Sequence, residues 1–265
     1  MGARTWGRCR RQTWRVKFFG PPLPVIHAVT DSASVLKTGF VARASQVMET
    51  LGSRGAVHLR CSRASGRQFH DIAAELVQVQ NRTGCWLVVN DRVDVARAVG
   101  ARGIQLASHS LQVPEAIAVA PGIPVGTSVH SLEEAAEAEK AGASWCVAGT
   151  IFDTPSHAGR PPARLDFVRS VVAAVMIPII AIGGVKPENV ADLIDAGAYG
   201  VATIRGAGWE HPQDDSSEED NLMKTRLPES RDSGFVEPVT RYISAYDSVS
   251  ARRRDDDAHG ERSTT

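Results

Sequence analysis

In the run Gly126-Thr127-Ser128-Val129-His130-Ser131-Leu132-Glu133-Glu134-Ala135, an apolar stretch passes through a short Gly/Ser/Thr turn into a helix pattern. The turn sets one imidazole, His130, where a strand ends and a helix begins. An imidazole takes up and releases a proton near neutral pH, and chemistry in α/β barrels gathers at such strand ends. His130 is expected to carry a proton; the competing reading is a solvated or capping residue at a helix start. A second constellation suits an anion. Ile182-Gly183-Gly184 runs into Val185-Lys186-Pro187, a glycine turn ahead of a proline-started helix, and Thr203-Ile204-Arg205-Gly206 closes the next apolar run. Glycines let backbone N–H groups approach a phosphate, and a helix start adds favourable potential. Alone, the Gly-Gly pair reads equally well as a tight turn.

Further polar residues follow other apolar runs. Arg60 ends Val57-His58-Leu59-Arg60, where a guanidinium can clamp a carboxylate or diphosphate or form an ion pair at a rim. Asn90 and Asp91 follow Leu87-Val88-Val89, and Asp91 either ligates Mg²⁺ or caps the helix after it. Ser128, Thr154 and His157 complete the candidate substrate-binding set, with His157 on a loop long enough to close over a site. His27, His58 and His109 read as structural. Cys9, Cys61, Cys85 and Cys146 are scattered and form no Cys-x-x-Cys pair. They read as reduced thiols of a cytoplasmic protein, and sequence alone identifies no basic partner that would make one a nucleophile.

These groups need elements to position them. From residue 22 to 208, short β-branched runs alternate with helical patterns. The strands are expected at 25–30, 56–60, 86–89, 103–106, 124–127, 144–149, 179–182 and 200–204, several apolar on both faces as covered parallel strands are. Helices are expected at 41–51, 68–81, 93–99, 132–141, 166–175 and 187–196, with Gly100, Gly142 and Gly197 as left-handed C-terminal caps. Eight such units make a compact (β/α)8 TIM barrel. An open dinucleotide-binding sheet would want a Gly-x-Gly-x-x-Gly turn after the first strand, where Asp31-Ser32-Ala33-Ser34 stands instead.

The ends of the chain differ from its middle. Residues 1–21 form a basic extension expected to be disordered, residues 209–233 an acidic, polar insertion expected to be disordered, and residues 249–265 a disordered tail. Between the last two, 234–248 carries Val236, Val239, Tyr242, Ile243 and Tyr246 at helical spacing and is expected to be the last barrel helix. The chain has 265 residues, with Lys plus Arg equal to Asp plus Glu at 30 each. That balance gives no case for nucleic-acid or membrane binding, and no apolar run approaches the roughly 18 residues of a membrane span.

Taken together, His-Ala-Val-Thr-Asp (27–31), Val-His-Leu-Arg (57–60), Val-Asn-Asp-Arg-Val-Asp-Val-Ala (89–96), the His130 segment, Gly-Thr-Ile-Phe-Asp-Thr (149–154) and Ile-Pro-Ile-Ile-Ala-Ile-Gly-Gly-Val (177–185) resemble the thiamine phosphate synthase/TenI superfamily. The resemblance implies one of two activities. A synthase joins a pyrimidine diphosphate to a thiazole phosphate with Mg²⁺, one metal carboxylate falling at Asp91. Its second, in a Gly-Gln-Glu-Asp-like motif, is missing from Ala107-Ser108-His109-Ser110-Leu111, its Arg-Glu-Lys run is Arg60-Cys61-Ser62 here, and its late lysine is His157. A TenI-like thiazole tautomerase moves a proton to aromatise a thiazole phosphate carboxylate without a cofactor, and its Ser-Val-His-Ser-Leu-Glu-Glu-Ala signature stands intact at 128–135. His157 departs from both branches, and Arg205 replaces a usual serine. The expectation is tautomerase, with His130 moving the proton, Arg60 pairing the carboxylate, Asn90, Ser128, Thr154 and His157 touching substrate, and Gly183, Gly184, Arg205 and Gly206 holding the phosphate. The alternatives are a synthase using Asp91 and Mg²⁺, and a silent thiazole phosphate-binding barrel. The resemblance also makes a homo-oligomer an expectation.

Overall fold

The computed structural model describes residues 22–154, 163–209 and 237–262, with the side chains of 254–262 left aside. Eight parallel strands pair in sequence order and close β8 on β1: β1 (Ile26–Val29), β2 (Gly55–Leu59), β3 (Trp86–Asn90), β4 (Gly103–Leu106), β5 (Val125–Val129), β6 (Trp145–Ala148), β7 (Ile179–Ile182) and β8 (Gly200–Thr203). This is the (β/α)8 barrel that the alternation predicts. Its helices are α1 (Ser32–Val35), α2 (Phe40–Leu51), α3 (Gly66–Thr83), α4 (Val93–Val99), α5 (Val113–Val119), α6 (Leu132–Lys140), α7 (Arg164–Ala174), α8 (Val190–Asp195) and α9 (Glu237–Arg262).

The strand sequences are buried because helices cover one face and the closed interior takes the other. Leu87, Val89, Ile104, Leu106 and Ile179 pack outward under the helices. Val29, Ala56, Trp86, Val88, Trp145, Val147, Ile180 and Ala202 fill the inside. Trp145 and Trp86 are the bulkiest of these, and Trp145 fits because β4 and β5 carry glycine where its ring lies. A Cβ on Gly126 would lie 2.0 Å from the Trp145 ring, and one on Gly103 would lie 3.2 Å from it. The helix-ending glycines behave as expected: Gly100, Gly142 and Gly197 have φ of 76°, 92° and 101°.

Three elements differ from the sequence reading. The segment after β1 is the one-turn α1, with Asp31 accepting from the Ser34 N–H as its cap. Helix α5 was not among the expected helices. It starts from a reciprocal Gln112/Glu115 cap, but its Ile117 and Val119 remain exposed, which blurs its apolar periodicity. Helix α9 runs past Ser248 to Arg262, so residues 249–262, read as a disordered tail, are helical. It docks through Val239, Tyr242, Ile243 and Val249 and through the ion pairs Arg54–Asp247 and Arg241–Glu188. The basic extension, most of the acidic insertion and the segment holding His157 lie outside the described residues.

The glycine-for-tryptophan fit generates a test. Gly126→Ala should cost about 1–3 kcal/mol through overpacking. Urea unfolding reads this directly, and a midpoint equal to wild type would contradict the packing account.

Candidate functional site

The strand C-termini form one mouth, and the residues there are held by different means. His130 follows β5. Ser131 caps α6 by accepting from the Glu134 N–H at 3.1 Å, and the Glu134 carboxylate accepts from the His130 N–H at 2.6 Å. Capping therefore falls to Ser131 and Glu134, and the imidazole is left for other work. Its Nδ1 lies 2.6 Å from the Gly149 carbonyl oxygen. A carbonyl only accepts, so Nδ1 carries a proton, and in the neutral ring Nε2 is the nitrogen left to act as a base. The residue after Gly149, Thr150, lines the cavity described next.

That cavity, about 380 Å³, opens between the ends of β7 and β8. The structure brings Gly183, Gly184, Arg205 and Gly206 together along it, with Thr154. Gly184 has φ of 62°, and a Cβ there would lie 2.6 Å from the Asp153 carbonyl oxygen, so only glycine lets the loop after β6 pass so close. A proline-started helix is present only as a single 3₁₀ turn, Pro187–Asn189, leading into the six-residue α8. Positive charge at the cavity comes instead from Lys186 and Arg205. Lys186 escaped the sequence reading, as did Tyr242 on α9. The Tyr242 hydroxyl donates to the Val185 carbonyl at 2.8 Å and closes one wall. Its spacing marked it as an apolar helix position, which it also is.

Arg60 has its backbone pinned by Thr30, whose hydroxyl accepts from the Arg60 N–H at 2.8 Å, while the side chain is exposed. Among the described residues it makes no ion pair, so the rim-pair reading is not what the structure shows. Asn90 ends β3, and Ser128 lies inward on β5, where its hydroxyl accepts from Gln105 at 3.3 Å. His157 lies outside the described residues, and exposed His109 sits on the loop after β4.

Asp91 neither caps α4 with its side chain nor stands free. The α4 cap position is Arg92, without a side-chain bond. Asp91 instead adopts φ of 62°, donates its N–H to the Gln105 carbonyl at 2.9 Å, and ties down the loop after β4. Its Oδ1 accepts from the Ala107 N–H at 2.9 Å and from the Ser110 hydroxyl. The donor set for Mg²⁺ is thus one carboxylate whose inner oxygen is already taken twice. Among the described residues no three His, Cys, Asp or Glu side chains converge as a metal site. These residues do not fit a protein-held Mg²⁺.

Beneath the mouth, two histidines that read as structural are fully buried. His27 Nδ1 lies 2.7 Å from His58 Nε2, and His27 Nε2 lies 2.9 Å from the Pro24 carbonyl oxygen. Burial lowers His27 to about 4, and burial with the facing His27 ring also holds His58 well below its ordinary value. Cys85 and Cys146 are pushed by burial up to about 12, in keeping with inert thiols.

The family model for thiamine monophosphate synthase matches residues 26–207, the barrel from β1 through the turn after β8. The chain belongs to the thiamine monophosphate synthase family. It is accordingly an enzyme of thiamine biosynthesis. It is 37% identical to a thiamine-phosphate synthase of Pyrococcus abyssi over 153 residues, which is 58% of this chain and 74% of that protein. To the thiamine-phosphate synthase of Chloroflexus aurantiacus it is 37% identical over 180 residues, 68% of this chain and 82% of that one. Among solved structures it is similar to thiamine phosphate pyrophosphorylase from Pyrococcus furiosus, with a TM-score of 0.62 at 32% identity, covering 71% of this chain and 88% of that one. Among the described residues no helix is long and apolar enough to cross a membrane.

The buried pair makes stability depend on pH. Both rings stay neutral when folded but titrate near 6.5 when released, so the unfolded chain binds more protons below that value. Stability should be fully present above pH 6.5 and fall as pH drops toward 4, by about 3 kcal/mol for His27. Urea midpoints compared at pH 7 and pH 5 read this; equal midpoints would contradict it.

Proposed function

We propose that the chain is a thiazole tautomerase, moving a proton on a non-aromatic thiazole phosphate carboxylate to make the aromatic ring. The observation that carries this reading is the His130 imidazole, held through Nδ1 by the Gly149 carbonyl, with its backbone fixed by Glu134. In the reaction Nε2 takes a proton from a ring carbon, the electron pair moves through the conjugated system, and the imidazolium returns a proton to the carbon at its far end. Charge, atoms and oxidation state balance with no further reactant. The cavity at Gly184, with Lys186 and Arg205, is assigned to the phosphate, and the exposed Arg60, outside that cavity's lining, to the carboxylate. Asn90, Ser128 and Thr154 contact the ring and its substituents. Thiazole phosphate is the partner this site serves.

A second reading is favoured by a specific observation: the relatives described above are named thiamine-phosphate synthase or pyrophosphorylase. By similarity alone it is the better supported. It stands second because a diphosphate transfer calls for concentrated cationic and metal contacts. Asp91 is engaged by Ala107 and Ser110, and Arg60 is followed by Cys61-Ser62.

His130→Asn should lower the tautomerisation kcat by about 10²–10⁴-fold, the usual worth of a positioned acid/base. Turnover that persists at the wild-type rate would sink the role of His130. Thiamine phosphate formed from the two synthase substrates and abolished by EDTA would establish the second reading instead.

A further inference from the structure

The turn after β7 is held carbonyl by carbonyl. The Gly183 carbonyl accepts from the Phe152 N–H at 3.0 Å, the Gly184 carbonyl from Asn189 Nδ2 at 3.5 Å, and the Val185 carbonyl from the Tyr242 hydroxyl at 2.8 Å. In a trans peptide the N–H of the next residue points opposite to the carbonyl. The Gly184 and Val185 N–H groups therefore face away from the first two anchors, and among the described residues no acceptor meets them. Both residues line the cavity between the ends of β7 and β8. The following peptide plane is pinned at both ends. Tyr242 takes its Val185 carbonyl, and Asn189 Oδ1 accepts its Lys186 N–H at 2.9 Å. Lys186, the cation carried by that plane, lines the same cavity.

Tyr242 is tied to the turn after β8 as well. A phenol has one proton, and the Val185 carbonyl can only accept it. The 3.3 Å contact between Tyr242 Oη and Thr203 Oγ1 is therefore made by the threonine proton. Thr203 Oγ1 in turn accepts from the Gly206 N–H at 3.1 Å. One directed chain thus runs from Gly206 through Thr203 and Tyr242 to Val185, joining the two turns that line the cavity. Gly206 also contributes space, because a Cβ there would collide with the Tyr242 hydroxyl. The Tyr242 ring is buried on α9, next to Arg241, whose guanidinium pairs with Glu188 in the 3₁₀ turn after β7. This helix lies beyond residues 26–207, so the family match does not reach it.

We propose that Tyr242 is a positioning residue for the phosphate end of the substrate. From a helix outside the matched segment it sets the Val185–Lys186 peptide plane, and with it the backbone N–H pair and the Lys186 charge offered to the phosphate. That a phosphate sits there rests on the proposed function, in either of its readings, since both take a thiazole phosphate; the tether itself does not.

Two measurements on Tyr242→Phe test this, a variant that keeps the buried ring and deletes only the hydroxyl. In the ligand-free protein, amide hydrogen exchange at Lys186 should quicken about tenfold, because its peptide plane loses one of two anchors. Unchanged exchange at Lys186 would overturn the tether whether or not any ligand binds. In titrations followed by NMR, thiazole phosphate should bind Tyr242→Phe about tenfold more weakly than wild type, with the dephosphorylated thiazole alcohol within twofold. An equal loss for both ligands, or a loss for neither, would overturn the positioning role. Gly206→Ala presses on the same hydroxyl from the other side. It should weaken thiazole phosphate binding in the wild-type background by a larger factor than in Tyr242→Phe, and equal factors would contradict the chain. A wild-type protein that binds both ligands alike, or neither, would count against the phosphate site of the proposed function, with Lys186 exchange still deciding the tether.

Discussion

The indole of Trp145 crosses the barrel interior through space that Gly103 and Gly126 leave open, and the Ser128 side of the site depends on that placement. The ring is fully buried, and a buried N–H left without an acceptor is costly. Gln105 supplies it, and in doing so loses the freedom to rotate its amide. The order imposed there passes to Ser128 at the mouth. On the opposite side the His27–His58 pair lies buried beneath the mouth, with His27 held by the Pro24 carbonyl.

The rim is organised on another principle. His130, Asp91 and Gly184 are fixed by contacts between neighbouring loops, not by the interior. Glu134 and Gly149 hold His130, the Ala107 N–H and Ser110 hold Asp91, and the Asp153 backbone crowds Gly184. The Ala107 N–H and the Ser110 hydroxyl both donate to Asp91 Oδ1, which makes Asp91 a tether for the loop after β4.

Much of this was readable in the sequence, because the strongest signals are local. β-branched runs between Gly-ended helices gave the eight strands, and Ser131-Leu132-Glu133-Glu134 placed His130 at a capped helix start. The glycine turn at Gly183-Gly184 was visible for the same reason. What stayed hidden depends on partners far apart in the chain. Gln105 and Trp145 meet across 40 residues, His27 and His58 across 31, and Tyr242 reaches Val185 across 57. Their types alone read as core. Asp91 looked like a helix cap or a metal ligand because only the fold brings Ser110 to it, and α5 was obscured by apolar residues on its exposed face.

The central claim is that this barrel moves a proton on a phosphorylated thiazole and that His130 carries it. The most direct measurement follows the non-aromatic thiazole phosphate carboxylate by NMR in D₂O with the wild-type chain. Because His130 is open to solvent, its proton exchanges, so the account predicts aromatic product formed well above the uncatalysed rate and carrying carbon-bound deuterium. Product appearing no faster than without protein would contradict it.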